Sequence, residues 1–316
     1  MIDIIIKELG QHLQQDPGTQ AFLLIDPLLR EPFPIDWEPV ASAPSWRLPV
    51  RHPGIGDEQQ PRLIQLEARN VALLEASVIA ACKEQQSGQE EAQEGFCIGG
   101  WLLAGNAVEG ASLASHLASC MRTSVAKTRE AKLFRWPDRR VLEWMWPILG
   151  EEQRISLLGP LMDWINIDRR SRLQNFRVPN SLADVQEIRL DPAQLQHAER
   201  GVIAQDLLRG WGTFVDQLPS DYLHQVTGAV ASVCQTGLQN RQDLTLLGAY
   251  VLQVHPRLTS HPKVRAAVAQ VRQGFETLSE ALERIPDPEG WDAIREDLLQ
   301  ERHLTYIEQG KDVQYG

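Results

Sequence analysis

The sequence predicts an α+β or α/β protein in which an N-terminal mixed β-sheet flanked by helices precedes an all-helical C-terminal lobe. Three observations lead to this fold class. Short apolar or alternating runs of strand length are interspersed with helix-like segments over the first 180 residues. Helical periodicity dominates after Pro179, and 316 residues are enough for two domains. We therefore expect an α/β domain over 1–180 and a helical lobe over 181–316.

The strands and helices of the first domain are predicted from the periodicity of apolar residues. Strands are expected at 21–25, 62–66, 96–103, 132–135, 164–168 and within 172–178. Helices are expected at 68–82, at 107–121 and from Pro137-Asp138 onward. Residues 27–61 carry eight prolines, a density that is expected to forbid helix and predicts a long surface excursion.

Helices account for the whole of the predicted C-terminal lobe. Asp191-Pro192 is a helix start, with an acidic N-cap followed by proline in the first turn. Helices are expected at about 192–217, 219–238, 242–254, 261–283 and 287–309. Prolines and Gly237 separate them.

Composition excludes several classes of protein. The chain has 31 basic and 42 acidic residues, a net charge of −11, which disfavours binding nucleic acid over its whole surface. No run approaches the roughly 20 apolar residues of a transmembrane helix, so no membrane insertion is expected. Residues 1–7 place an acid inside their apolar run, unlike a secretory signal. Four scattered cysteines form no disulfide framework, and we expect a cytoplasmic protein.

One segment departs from the acidic character of the chain. Residues 122–177 hold 12 basic and 7 acidic side chains and four of the nine tryptophans. Because interfaces favour Trp and Arg, this segment is a candidate docking face for a protein partner. The candidate protein-binding residues are Trp136, Arg139, Trp144, Trp146, Arg169 and Arg170. Trp136 and one of Trp144 and Trp146 are expected to be exposed; the alternative is a solvated basic face with tryptophans in the core.

Motifs for catalysis, metal or cofactor binding are sparse. His116 and Cys120 share a helix face, but no C-x-x-C or H-E-x-x-H occurs, so a structural histidine and a buried thiol are expected. Gly99-Gly100 matches neither a P-loop nor G-x-G-x-x-G, and no G-x-S-x-G is present. We expect no catalytic residue, metal or cofactor. A hydrolase with a site near Asp138 and His116 remains the alternative.

Five short stretches occur in a characteristic order. They are Ala21–Asp26, Arg62–Leu66, Gly99–Leu103 with the downstream His116-Leu117, Phe134–Leu142, and Leu158–Pro160. In this order they resemble the effector-adaptor chaperones of type VI secretion systems, cytoplasmic proteins that load toxic effectors onto a VgrG-type spike. The most specific stretch, Phe-Arg-Trp-Pro-Asp-Arg-Arg-Val-Leu, is similar to that family's phenylalanine-arginine-x-x-aspartate-proline-arginine-valine-leucine signature. Arg139 stands where the family has proline.

The resemblance implies a non-enzymatic adaptor that binds an effector and the spike protein. It covers about residues 20–170 and implies that the signature residues are structural. Phe134, Val141 and Leu142 should lie in the core, and Arg135, Asp138 and Arg140 should form an internal ion-pair network. A scaffold for another secretion complex is a further alternative, which only the identity of the bound partner separates from an adaptor.

Overall fold

The chain forms two compact units, residues 1–199 and 200–316. The structure, a computed structural model, describes residues 2–14, 18–67, 70–86, 96–125, 131–178 and 187–311. The predicted boundary between residues 180 and 181 lies outside the described residues. The boundary between the two compact units lies between residues 199 and 200, inside a helix that begins at Pro192.

A six-stranded antiparallel sheet organises the first unit. Its strands are β1 (Thr19–Ile25), β2 (Ser45–Arg47), β3 (Arg62–Leu66), β4 (Ile98–Gly105), β7 (Leu161–Ile167) and β8 (Leu173–Phe176), in the order β2-β3-β1-β4-β7-β8. Strands β5 (Arg122–Val125), β6 (Ala131–Leu133) and β9 (Arg189–Leu190) form a separate three-stranded sheet. β1 and β4 are buried on both faces, as expected of central strands covered on both sides.

Helices cover the two faces of the large sheet. They are α1 (Ile2–Gln14), α2 (Glu38–Ala41), α3 (Val71–Lys83), α4 (Gly110–Met121), α5 (Arg139–Met145) and α6 (Glu151–Leu158). On one face Leu23, Ile25 and Trp101 pack into a core with α1 and α3. Successive strand residues point to opposite faces, so Phe22 and Leu24 face the layer to which α4 and α5 belong.

The second unit is helical. Its helices are α7 (Pro192–Phe214, which begins in the first unit), α8 (Tyr222–Cys234), α9 (Arg241–Gln253), α10 (Pro262–Arg272), α11 (Leu278–Glu283) and α12 (Glu289–Lys311). Asn240 and His261 cap α9 and α10 by accepting backbone N–H bonds, which supports these helix starts. Buried leucines and valines on α8, α9 and α10 form the core of this unit.

The predicted fold class is confirmed, and four details are corrected. The predicted helix over 261–283 is interrupted, because Gly274 adopts a left-handed backbone (φ +78°) between α10 and α11. The strand near residue 132 belongs to the small sheet. Helices α1 and α6 were not predicted. The proline-rich excursion does contain a helical turn, α2. Its proline lies in the first turn, where a backbone N–H makes no hydrogen bond within the helix, so the missing N–H costs none.

The helices of the described residues were compared with the requirements for crossing a membrane. None of them combines the length and the apolar character needed to cross a bilayer.

Candidate functional site

The segment between β6 and α5 brings six charged side chains together below the surface of the first unit. We call them the ionic cluster: Asp26, Glu84, Arg135, Asp138, Arg139 and Arg140. Asp138 begins the segment's helix as N-cap of α5, accepting the N–H of Arg140 at 3.0 Å. The two residues after this cap are therefore held with their guanidinium groups directed inward.

Arg135 connects this segment to the end of the central strand β1. Its Nη2 and Nε lie 2.6 and 3.1 Å from Oδ2 of Asp26, whose side chain is 1% exposed. The other carboxylate oxygen of Asp26 accepts the N–H of Leu28 at 3.3 Å, which fixes the turn into the proline-rich excursion. The pair thus joins two chain segments, around residues 26–28 and at residue 135, that are far apart in sequence.

Glu84 is the most deeply buried acid of the ionic cluster, with no exposed side-chain surface. Oε1 accepts the N–H groups of Cys97 and Ile98 at 2.8 and 3.3 Å and lies 3.3 Å from Arg30. Oε2 lies 3.1 Å from Nη2 of Arg139, which also donates to Ala81 O at 2.6 Å. Glu84 therefore joins the end of α3, the start of β4 and α5.

Arg140 forms the most regular pair of the cluster. Its Nε and Nη2 donate to the two oxygens of Asp138 at 2.9 and 2.7 Å, a two-pronged contact. The guanidinium carbons of Arg139 and Arg140 lie 4.4 and 4.7 Å from the ring centre of Phe96. One aromatic ring therefore contacts both cations, which helps to hold them close together despite their like charge.

Burial and pairing act in opposite directions on the carboxyl groups. Burial raises the pKa of Asp26 above its usual range, and Arg135 opposes this shift. Burial likewise raises the pKa of Glu84, opposed by Arg139 and by the two backbone N–H donors. Removing one partner would leave a charge without compensation, which typically costs about 3–5 kcal/mol.

A small cleft opens beside the ionic cluster. Phe96, Arg139, Arg140 and Asn166 are among its lining residues, and its volume is about 10 Å³. That volume holds about one water molecule and is far below the several hundred Å³ of a small-molecule site. Nε and Nη1 of Arg139 make no hydrogen bond to the described residues, so a water here would satisfy a buried donor. The cleft fits a structural water.

The expected exposure of Trp136 is wrong. Trp136 is buried: its ring stacks on Phe134 with 5.5 Å between centroids, and its Nε1–H donates to Cys120 O at 2.9 Å. Trp144 is also buried, because its ring stacks on His197 and its Nε1–H donates to His197 O. Each indole finds an internal acceptor, which allows a Trp to be buried.

Arg139 is buried too, so its expected place on a docking face is corrected. Its partners in the ionic cluster hold it in the interior. Arg169 is largely covered and lies 3.1 Å from Glu143. Of the six candidate residues, Trp146, Arg169 and Arg170 are half-buried and the other three are buried. Trp146 lies edge-on to Phe176, with the guanidinium of Arg154 5.3 Å from its ring.

Three cations of the basic segment lie around β8, a strand at one edge of the large sheet, whereas the exposed Arg122 and Lys132 lie on the small sheet. Arg170 and Arg172 lie in the β7–β8 turn, whose shape is fixed by Asp168 accepting both of their backbone N–H groups at 2.8 and 2.9 Å. Arg177 follows β8, is 57% exposed and donates to the two carboxylate oxygens of Asp163 at 2.8 and 3.1 Å. We call Arg170, Arg172, Arg177 and Trp146 the basic edge. Arg172 and Arg177 were not among the predicted binding residues, although the charge count of 122–177 includes them.

Comparison with known proteins gives one match, to part of the first unit. Residues 22–156 match the family model DUF4123, a domain of unknown function. The match covers less than half of the chain. No curated protein and no solved structure matches it.

The DUF4123 match contains the whole ionic cluster. It also spans the signature segment 134–142, the strands β3 and β4, and the part of β1 from residue 22 onward. The core positions expected from the resemblance lie inside it as well: Phe134 and Leu142 are buried, and Val141 is half-buried. Arg170, Arg172, Arg177 and the second unit lie beyond the matched residues.

His116 and Asp138, the pair considered for hydrolysis, contact different groups among the described residues. His116 Nε2 lies 3.2 Å from Leu157 O and 3.6 Å from Cys120 Sγ, and its ring packs against Gly159. Burial lowers the pKa of His116 and raises that of Cys120 to about 12. Asp138 is engaged with Arg140. Among the described residues no three His, Cys, Asp or Glu side chains are placed to hold a metal.

Proposed function

We propose that this protein is a non-enzymatic adaptor of a type VI secretion system, which binds an effector and delivers it to a VgrG-type spike protein in the cytoplasm. The observation that carries the proposal is the match of residues 22–156 to DUF4123, a family known as a type VI effector-associated adaptor domain. The ionic cluster lies within the matched residues, where the signature segment that resembles the adaptors is located.

The charged residues form two groups, one paired in the interior and one along the basic edge, and this separation supports a binding role. The charges of the ionic cluster face one another, and the adjoining cleft has room for about one water. Their chemistry is that of a framework that holds strands in place. The cations of the basic edge lie outside this cluster, and Arg172 and Arg177 are exposed.

The basic edge has the features of a protein-docking surface. β8 is the last strand in the sheet order, and no strand of the described residues pairs with its outer side, so an added strand could pair there. Arg172 and Arg177 lie at its two ends, and the half-buried Trp146 packs against its last residue, Phe176. On a chain with a net charge of −11, this local positive surface would orient an acidic partner segment.

The test is affinity capture from the bacterium that makes the protein. The tagged full-length chain is expressed at its native level, and the captured proteins are identified by mass spectrometry. We expect a spike protein and one large toxin-like chain to be captured together.

One variant tests the basic edge, and a second variant is its control. Arg170→Glu/Arg172→Glu should reduce capture of at least one partner, while Arg265→Glu, which reverses an exposed charge on α10, should leave both unchanged. Capture of neither partner from cells that express a secretion apparatus would overturn the adaptor proposal. Capture of a different complex would favour the scaffold.

A further inference from the structure

The second unit contains an acidic, aromatic cleft of about 230 Å³ between the end of α9 and the start of α12. It is lined by Tyr250, Gln253, Val254, Asp287, Pro288, Trp291, Asp292 and Arg295. The cleft is too small for a typical cofactor or drug-sized molecule, for which about 300–1,000 Å³ is usual. Its volume suits a single large side chain.

Two stacked aromatic rings form the apolar side of the cleft. Tyr250 and Trp291 lie 4.4 Å apart between ring centres, with an angle of 25° between their planes. Trp291 is buried and Tyr250 is half-buried, so the phenol ring is the one that solvent and ligands reach. The face of such a ring attracts a cation.

The charges around the rings are mostly negative. Asp287 and Glu283 lie near enough to Tyr250 to add to the burial effect that raises the pKa of its phenol. Asp292 is paired with Arg295 at 2.6 Å, which leaves a local excess of carboxylate. The Asp287 carboxylate is exposed and makes no hydrogen bond or ion pair with the described residues.

The cleft already accommodates one guanidinium group. Arg295 reaches Asp292 through Nη1 and donates from Nε to Val254 O, the capping residue of α9, at 3.3 Å. The end of a helix favours cations because its carbonyl groups carry partial negative charge. The second carboxylate, Asp287, is therefore placed to receive a second cation in the same cleft.

We propose that this cleft binds an arginine side chain from an extended segment of a partner protein. The guanidinium plane would lie on the Tyr250 ring, with its N–H groups directed to Asp287. Arginine suits this arrangement better than lysine because its planar cation stacks on an aromatic ring and donates two parallel bonds to one carboxylate. The identity of the partner rests on the proposed adaptor function, whereas the side-chain specificity can be measured without it.

The test is a titration of the purified full-length chain with a capped Gly-Arg-Gly tripeptide at constant ionic strength. The readout is the indole N–H resonance of Trp291, which Trp291→Phe assigns. We expect a saturable shift with the arginine peptide and none with the matched citrulline peptide, which has the same shape but no charge. No saturable shift, or equal binding of the citrulline peptide, would overturn the proposal.

Variants identify which carboxylate is responsible. Asp287→Asn should weaken the arginine peptide about threefold, the size of effect of one exposed ion pair, and Asp287→Lys should weaken it further. Glu296→Gln removes the same charge from an exposed position on α12 and should change nothing. An equal effect of Glu296→Gln and Asp287→Asn would contradict a specific site.

The result is separable from the fate of the adaptor proposal. Peptide binding with no spike or effector captured would retain the cleft and reject the adaptor. Capture of both partners with no peptide binding would retain the adaptor and reject the cleft.

Discussion

Pairs of arginine with an acidic residue are buried in the first unit and exposed in the second in the examples that follow. In the first unit Glu84 and Arg139 are paired with 0% and 4% of their side chains exposed. In the second unit the pair Arg241–Asp206 has 59% and 19% exposed, and Arg295–Asp292 has 43% and 54%. Removing one partner of a buried pair is costly, because the remaining charge would be uncompensated. A surface pair contributes little to stability and is free to exchange its partner.

The architecture explains this difference. In the first unit, buried charged side chains connect the start of a long excursion, a helix end and two central strands. Asp26 and Glu84 each join segments distant in sequence. The helices of the second unit follow one another along the chain and pack through apolar faces, and the pairs Arg241–Asp206 and Arg295–Asp292 remain partly exposed, although the Glu276 side chain beside Arg284 is buried. The following substitutions test this contrast.

Breaking the deepest pair should have the largest effect. Arg139→Met leaves the Glu84 carboxylate buried without its closest cation, and we expect unfolding to become easier by about 3–5 kcal/mol. Urea denaturation followed by circular dichroism measures this. Arg139→Met/Glu84→Gln removes both charges and should recover part of the loss. A loss below about 1 kcal/mol for the single variant would mean that the pair behaves like a surface pair.

The same glycine-to-alanine change should have opposite signs in the two units. At Gly100 (φ +122°) an added Cβ would lie 2.5 Å from Ile165 O and also collide with the Asn166 side chain, so Gly100→Ala should destabilise by about 2–5 kcal/mol. Gly228 lies within α8 with nothing within 4 Å of an added Cβ, so Gly228→Ala should stabilise by about 0.5–1 kcal/mol. Thermal unfolding of both variants checks the signs. Equal effects would remove this contrast.

The pH dependence of stability should report on His116. Burial holds its pKa below the ordinary value of 6.5, so as the pH falls below 6.5 the unfolded chain binds a proton before the folded protein does. Stability should therefore be full above pH 6.5 and decrease toward pH 5. His116→Asn should flatten this slope, whereas the exposed His224→Gln should retain it. Unfolding midpoints at several pH values between 5 and 7 decide between these outcomes.

The smallest effect is expected from a surface pair of the second unit. Arg241→Gln breaks the contact with Asp206 and should change the free energy of unfolding by less than about 1 kcal/mol. The comparison with Arg139→Met uses the same assay. A loss as large as that of Arg139→Met would show that the helical unit also depends on its ion pairs.

Much of the fold could be predicted because it is encoded locally. The apolar run at Ala21–Ile25 and the Asp191-Pro192 helix start each carry their signal within a few residues. Helix α6, by contrast, is capped by Gln153 reaching back to the N–H of Gly150 and has few apolar positions, so periodicity gave no signal. The predicted ion-pair role of Arg135, Asp138 and Arg140 agrees with their contacts.

The position of the tryptophans could not be read from the sequence. Trp136 and Trp144 can be buried because their indole N–H groups donate to the carbonyl groups of Cys120 and His197, which lie 16 and 53 residues away in sequence. The same holds for Glu84, which has no local motif and is brought to Arg139 by the path of the chain around β4. A charge count located the basic segment, but only the fold separates its inward cations from those of the basic edge.

The most direct measurement is the rate at which a captured partner associates with the wild-type chain and with Arg170→Glu/Arg172→Glu at low and high salt. A docking role for the basic edge predicts that the variant associates more slowly at low salt, that the difference shrinks at high salt, and that unfolding is unchanged. Arg265→Glu should match the wild type. Equal association rates and equal salt dependence for all three proteins would contradict the assignment of partner binding to this edge.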